Sequence, residues 1–386
     1  MAVLLSVIFL SFIGLGLPDT ILGSIWPVIQ KDINAPIYSA GIITLIVQAG
    51  TVLSSLFSSK LVYKYSTQMV TFFSILLTSS ALIIFAFSYN VWFLFAAAVP
   101  LGLGAGSVDA ALNGYVANNF KSNIMNFLHG FWGVGAFLGP FTMSFFIKSD
   151  YGWRSGYIFT AMVLLFIALT VFLSRKIWGS KNNNSSNEKT YISNKEALKI
   201  PLVKSALVTF SFFSYIELTT GLWISSYFVY GLGISSYYAA LITAVFYGSI
   251  TAGRIITGLF SNNFENYKII RVGELAIITG CFIMIFGNMY LAVAGAFIIG
   301  IGSSPVYPAM LHETPRRFGE SASLTVMGLQ MSVSYTGGAI APLIFGMLAD
   351  KFSFNLLPYY ILFGALIIFI SSEYLNHNLQ KYKPTK

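Results

Sequence analysis

Five titratable side chains interrupt stretches of this sequence that are otherwise apolar: Asp19, Asp109, His129, Glu217 and Arg254. Asp19 stands in GLPDTILGSIWP (16–27), directly after Pro18, whose missing N–H frees a backbone acceptor. Asp109 is followed four residues later by Asn113, which a helix places on the same face. His129 has Asn126 and Trp132 three residues to either side. Carboxyls in such surroundings take up and release protons, while amides and ring N–H groups hold polar solutes. The C–H faces of a many-hydroxyl solute stack on rings such as Trp132 and Trp223, and its hydroxyls meet groups such as Glu217, Asn113 and Gln330.

A charge at bilayer depth costs from about 2.5 kcal/mol upward, so it serves a function or is paired locally. A structural alternative therefore stands beside each functional reading. Asp19 caps a half-helix beyond Pro18, Asp109 ties its helix to a neighbour, Glu217 holds a structural partner, and His129 sits at the interface. Arg254, about two turns from the end of its apolar run, is expected to serve a gate by pairing with Glu274 or Glu313.

The elements that must position these residues follow from composition. Of 386 residues, 56% are apolar and only 9% charged, against about 25% charged in a soluble protein. Such a chain cannot cover its apolar surface in water, so a soluble enzyme is excluded. Cys281 is the only cysteine, which excludes a disulfide scaffold. The net charge of +9 is dispersed in short connectors with no basic–aromatic module, so nucleic acid is not a partner. The lipid bilayer is.

Runs of roughly 20 apolar residues, the length a spanning helix needs, fall near 3–29, 37–59, 67–88, 91–117, 126–147, 155–174, 202–230, 235–260, 269–287, 290–311, 321–349 and 355–375. The first lacks a basic start and a cleavage site, and reads as a span rather than a signal. With both termini cytoplasmic, 17 of the 22 Lys and Arg lie in inner connectors, the tail or the inner ends of spans (Lys204 and Arg271), four in outer connectors, and Arg254 deeper within a span. That asymmetry is the positive-inside pattern. The expected location is the cell membrane, multi-pass.

The polar stretch 175–201 reads as a cytoplasmic linker between an N-terminal six-helix bundle (1–174) and a C-terminal one (202–386). The halves look like copies. GLGAGSVDAAL (102–112) matches GIGSSPVYPAM (300–310) at an offset of 198, and Gly135 with Pro140 matches Gly337 with Pro342 at 202. Duplication of this kind points to a carrier with its site between repeats.

Absences narrow the chemistry. Apart from Lys204 at the very start of span 7, spans 1, 4, 5, 7, 10 and 11 hold no Lys or Arg, so an anionic solute would find no counter-charge at their centres. There is no G-x-x-x-x-G-K-[ST] loop for a nucleotide, and His129, His312, His377 and Cys281 form no metal-ligand spacing. No catalytic triad pattern appears. The chain is expected to be no enzyme and to need no cofactor.

Twelve spans in two six-helix repeats resemble the major facilitator superfamily. GLPDTILGSIWPVIQ (16–30) and GLGAGSVDAALNGYV (102–116) resemble the fucose–galactose–glucose:proton symporter family, which has an acidic residue in each of those spans. The resemblance implies proton coupling or sugar binding at Asp19, proton coupling at Asp109, and an asparagine role at Asn113. SYIELTTGLWISSYF (214–228) is similar to the seventh span of related sugar carriers, with Glu217 and Trp223 as polar marks. The loop SSKLVYKYSTQ (58–68) departs from the superfamily's G-x-x-x-D-R-x-G-R pattern and keeps only Lys64. GFWGVGAFLGP (130–140) resembles the span 5 motif of drug exporters without its closing glycines.

The expectation is a monomeric secondary transporter that couples protons to import of a neutral sugar or similar polar solute by alternating access. Asp19 and Asp109 carry the proton. Asp19, Asn113, Asn126, His129, Trp132, Glu217, Trp223 and Gln330 contact solute, and Arg254, Glu274 and Glu313 gate. The alternative is proton-driven efflux of amphipathic or cationic compounds. A sensor of the same fold would need a signalling domain larger than the linker and tail provide.

Overall fold

The computed structural model describes residues 2–120, 122–149, 151–178, 192–260 and 264–379, and among them there is no strand. The long helices are α1 (Ala2–Asp32), α2 (Ser39–Tyr65), α3 (Thr67–Ala86), α4 (Val91–Asn119), α5 (Ser122–Lys148) and α6 (Gly152–Leu173). After the short α7 (Asn194–Ala197) come α8 (Val203–Ser226), α9 (Ser236–Phe260), α10 (Asn266–Phe286), α11 (Met289–Ser303), α12 (Val306–Phe318), α13 (Glu320–Lys351) and α14 (Leu357–Leu379). Twelve helical stretches among the described residues are long and apolar enough to cross a bilayer. The shortest has 20 residues, about 30 Å at 1.5 Å per residue, which equals the hydrocarbon thickness.

Eleven of these stretches begin and end within four residues of the runs read from hydropathy. The tenth differs. It extends to Phe318, seven residues beyond the expected end, because the charged run after Met310 stays helical. Glu313 there meets Arg316 at 3.5 Å and Arg317 at 3.8 Å, one turn ahead on its own helix. The helix stops at Gly319, whose φ of +85° suits a residue without Cβ.

Proline interrupts one span and is tolerated inside others. The tenth span is interrupted between Ser303 and Val306, where Pro305 cannot supply a helix N–H. Its counterpart α4 holds Pro100 and runs unbroken, as does α1 through Pro18 and Pro27. In the seventh span the helix widens into a π-type turn over Tyr227–Gly231. Asn90 and Asn288 cap α4 and α11, each side chain accepting a first-turn backbone N–H at 3.0–3.1 Å.

The chain forms two compact units. The first is Met1–Asn183 with Gly221–Gly248 and Leu343–Asn355; the second is Asn184–Thr220, Ser249–Pro342 and Leu356–Lys386. Within the first unit, α1 meets the end of α8 through hydroxyls: Ser225 donates to the Ser24 carbonyl at 2.7 Å, and Tyr230 to the Pro27 carbonyl at 3.1 Å. Within the second, Arg271 of α10 forks onto both oxygens of Glu373 in α14 at 2.7 Å each. Residues 192–201 of the expected linker, with the first residues of the seventh span, pack on the start of α13. Ala197 and Val203 are buried against Ala322 and Val326, and Thr325 donates to the Ile192 carbonyl at 3.0 Å.

Candidate functional site

In the first unit the site begins with a helix contact. Gly16 of α1 lies where an added Cβ would overlap the Trp132 carbonyl of α5, and Gly139 meets the Leu17 carbonyl at 2.5 Å in the same sense. Backbones that approach this closely bring short polar side chains into reach. Thr20 donates to the Ala136 carbonyl at 2.9 Å, and the Trp132 indole N–H donates to Asp19 Oδ2 at 2.9 Å. From Val7 to Gln30, Asp19 alone is exposed; Leu17, Pro18, Thr20 and Ile21 around it are buried. Asp19 is thus the one side chain that this stretch of α1 leaves exposed, on a helix otherwise committed to packing.

Asp109 of α4 lies within Coulombic range of Asp19. Asn113 bridges to it from the next turn, its amide donating to Asp109 Oδ1 at 2.8 Å and to the Asp109 carbonyl at 3.0 Å. Both residues are half-buried. Every described hydrogen bond to these two acids comes from a neutral donor, an indole or an amide. His129 is exposed on α5, with its ring edge-on to Phe12 at 5.9 Å. Asn126, the third polar residue expected on that helix, has a side chain outside the described residues. The first unit therefore bonds Asp19 to Trp132 and Asp109 to Asn113.

In the second unit the acid is Glu217 of α8, and its partner is a cation. Arg254 Nη2 of α9 lies 3.4 Å from Glu217 Oε1. This corrects the expected gate pairing. Glu274 is fully buried and bonds Ser372 at 2.6 Å, and Glu313 bonds Asn266 at 2.9 Å besides its own-helix arginines. The rotation of α9 turns Arg254 toward α8, and no single-helix pattern specifies that rotation. It also qualifies the expected lack of cations: the central spans carry only Lys204, at the start of α8, yet α9 delivers a cation to Glu217. Gln330 is buried and accepts from Thr314 at 3.0 Å.

Trp223 is likewise placed by packing. Its fully buried ring sits against Phe345 and Phe354 at 6.1 and 5.8 Å, in the first unit. In this conformation a solute has no face of it to stack on. Among the described residues there is no group of three His, Cys, Asp or Glu able to hold a metal.

The two units repeat one contact. Gly135 faces the Ile13 carbonyl, and Gly337 faces the Ser211 carbonyl. The first-helix offset is therefore 198, which sets Glu217 at the place Asp19 holds. The same offset, already present in the fourth-span match, sets Tyr307 at the place of Asp109. Tyr307 packs at 5.4 and 5.7 Å from Phe210 and Phe213. It was not singled out from sequence because an aromatic in an apolar run carries no charge signal; only the repeat offset marks it.

Residues 4–342 match the Major Facilitator Superfamily. Over 316 residues the chain is 24% identical to the glucose/mannose transporter GlcP of Bacillus subtilis, covering 78% of this chain and 77% of that protein. It is 22% identical over 299 residues to bypass of stop codon protein 6 of Saccharomyces cerevisiae, covering 67% and 59% respectively. The fold matches a crystal structure of the nucleoside transporter NupG with a TM-score of 0.80, at 11% identity, over 97% of this chain and 99% of that one.

Proposed function

The chain belongs to the Major Facilitator Superfamily, and from that premise we propose that this transporter couples protons to the uptake of a neutral sugar or similar polar solute by alternating access. The observation that carries the reading is Asp19, the one exposed residue on a stretch of α1 from Val7 to Gln30, held by Trp132 beside Asp109, with neutral donors only among the described residues. Two neighbouring carboxyls that the described residues bond only through neutral donors favour a state in which one of them is neutral. A proton supplies that state without occupying the solute's space. Asn113, Trp132 and the exposed His129 then offer hydroxyl partners and ring faces. The likeness to a glucose/mannose transporter supports the sugar class.

In this reading Asp19 and Asp109 carry the proton, each chain works as a monomer in the cell membrane, and both termini are cytoplasmic. The two six-helix bundles, 1–174 and 202–386, are the moving parts. Efflux of a basic compound is the second reading, favoured by the same uncompensated pair, because a cation neutralises it as well as a proton does. The deciding measurement is uptake of labelled sugars into proteoliposomes with and without an imposed pH gradient. Gradient-driven accumulation of a hexose or polyol supports symport. Accumulation of none of them, with proton-dependent movement of an organic cation, replaces it with exchange.

A further inference from the structure

The two units treat the cations at their linker-side helix ends differently. In the second unit, Lys268 at the start of α10 meets Glu265 at 2.9 Å and Arg271 meets Glu373 at 2.7 Å. Arg316 and Arg317, at the end of α12, both meet Glu313. In the first unit the corresponding helix ends carry Lys60 and Lys64 on α2, and Arg175 and Lys176 just past α6, all of them exposed. Residues 1–178 contain four acids. Asp19 and Asp109 lie within spans, Asp32 ends α1, and Asp150 follows α5 in sequence. The last two precede the basic residues by a full span, about 30 Å of helix. None of the ion pairs among the described residues includes Lys60, Lys64, Arg175 or Lys176.

These four cations border one apolar surface. The apolar part of the second span ends at Ser58, but α2 continues to Tyr65. On that last stretch Lys60 and Lys64 are one turn apart, and the exposed Phe57, Leu61 and Tyr65 form the adjoining row. The start of α3 joins this face to the end of α6. Gln68 donates to the Val171 carbonyl at 3.0 Å, and the Phe72 ring lies 5.2 Å from Phe172. Arg175 stands over Phe172 at 5.8 Å, beside the exposed Leu173 and Ile177. Lys60 and Lys64 likewise lie over rings, at 5.9 Å from Phe57 and 4.9 Å from Tyr65. A ring attracts a cation but brings no net charge to balance it.

Orientation in the bilayer does not explain this difference. The positive-inside pattern depends on Lys and Arg and is little affected by Asp or Glu, so paired cations serve it as well as unpaired ones. We propose that the linker-side ends of α2 and α6 form a docking surface for an anionic phospholipid. Its headgroup phosphate lies on Lys60, Lys64, Arg175 and Lys176, and its acyl chains lie on the neighbouring apolar side chains. Guanidinium and ammonium groups both suit phosphate oxygens. The exposed Phe57, Leu173 and Ile177 beside them commit the surface to a lipid rather than a soluble anion, which has no apolar part to place there.

The test reconstitutes the full chain in phosphatidylcholine vesicles and measures, by electron spin resonance, how strongly spin-labelled phosphatidylglycerol and phosphatidylcholine associate with it. Wild type is compared with Lys60→Gln/Lys64→Gln, Arg175→Gln/Lys176→Gln, all four together, and Lys268→Gln/Arg316→Gln. Each cation engaged near an anionic headgroup strengthens association about fivefold. Wild type should therefore prefer phosphatidylglycerol, and each double variant of the first unit should lower that preference at least about threefold. The fourfold variant should nearly abolish it, while Lys268→Gln/Arg316→Gln, which removes equal charge from paired positions, should keep it. Equal losses in both units would make the effect one of net charge and overturn the proposal, as would no preference in wild type. Suppression by inorganic phosphate, but not by chloride at equal ionic strength, would give the surface to a soluble anion and overturn it too. Should the fourfold variant fail to fold, the double variants are scored by melting temperature in detergent. Added phosphatidylglycerol should raise it for wild type more than for either first-unit variant, and an equal rise in all counts against the docking surface.

Discussion

The indole N–H of Trp132 donates to Asp19 Oδ2 across 2.9 Å, joining two residues 113 positions apart through the contact between α1 and α5. Trp132→Phe keeps the ring face and removes the donor. A hydrogen bond to a charged group contributes about 1.5–3 kcal/mol, so KM for exchange should rise about 10- to 100-fold with protein yield unchanged. A wild-type KM in this variant would leave the bond without a transport role.

Asp109→Asn retains the amide-compatible shape beside Asn113 and removes a titratable proton. Accumulation driven by a pH gradient should be abolished, while exchange between two equal solute pools continues. Equal active uptake by variant and wild type, followed with labelled solute, would take Asp109 out of the coupling step.

Glycines on these helices should respond with opposite signs. Gly16→Ala places a Cβ on the Trp132 carbonyl and should lower the melting temperature and abolish transport. Gly114 and Gly130 have nothing within 4 Å of an added Cβ. Alanine there should be neutral or stabilising by up to about 1 kcal/mol, from helix propensity alone. Thermal unfolding of the three variants in one detergent separates the cases.

Solute charge follows from the first half-site. Among the described residues, Asp19 and Asp109 are bonded only by neutral donors, so an anion gains no counter-charge from them. A neutral sugar should compete for uptake of the labelled solute, and its phosphate ester should not. Saturable competition by the ester at a similar concentration would reverse the assignment of these acids.

The α7 segment carries a pH dependence of its own. The Ser193 backbone N–H and hydroxyl each donate to Glu196 Oε2 at 2.8 Å and hold its carboxyl below the usual carboxylate range. A group depressed on folding stabilises the fold above its ordinary range, and that contribution is lost as pH falls through the lowered value. Hydrogen-exchange protection of residues 194–198, corrected for intrinsic rates, should decline on acidification. Glu196→Ala should show low protection with no such decline.

The membrane spans were legible because a bilayer imposes its demand one segment at a time. Some 20 apolar residues satisfy it whatever surrounds them, and eleven of twelve stretches came out within four residues. Legibility failed where a helix outlasts its apolar part, as at α12, since pairing of Glu313 with Arg316 and Arg317 leaves no trace in hydropathy. The costly charges were visible for the same local reason: Asp19, Asp109, Glu217 and Arg254 each break an apolar run.

Which of those charges meet was decided only in three dimensions. Asn113 lies one turn from Asp109 on the same helix, so that bond was readable from spacing. Arg254 was expected on Glu274 or Glu313 and stands on Glu217, and Trp223 was expected beside solute and lies buried among Phe345 and Phe354. Both outcomes depend on the rotation of one helix against another. That rotation is set by where small residues let backbones touch, as Gly16 does at Trp132 and Gly135 at Ile13. A single helix's sequence reveals which residues are small or charged, but the partner face they meet belongs to a helix far away in the chain.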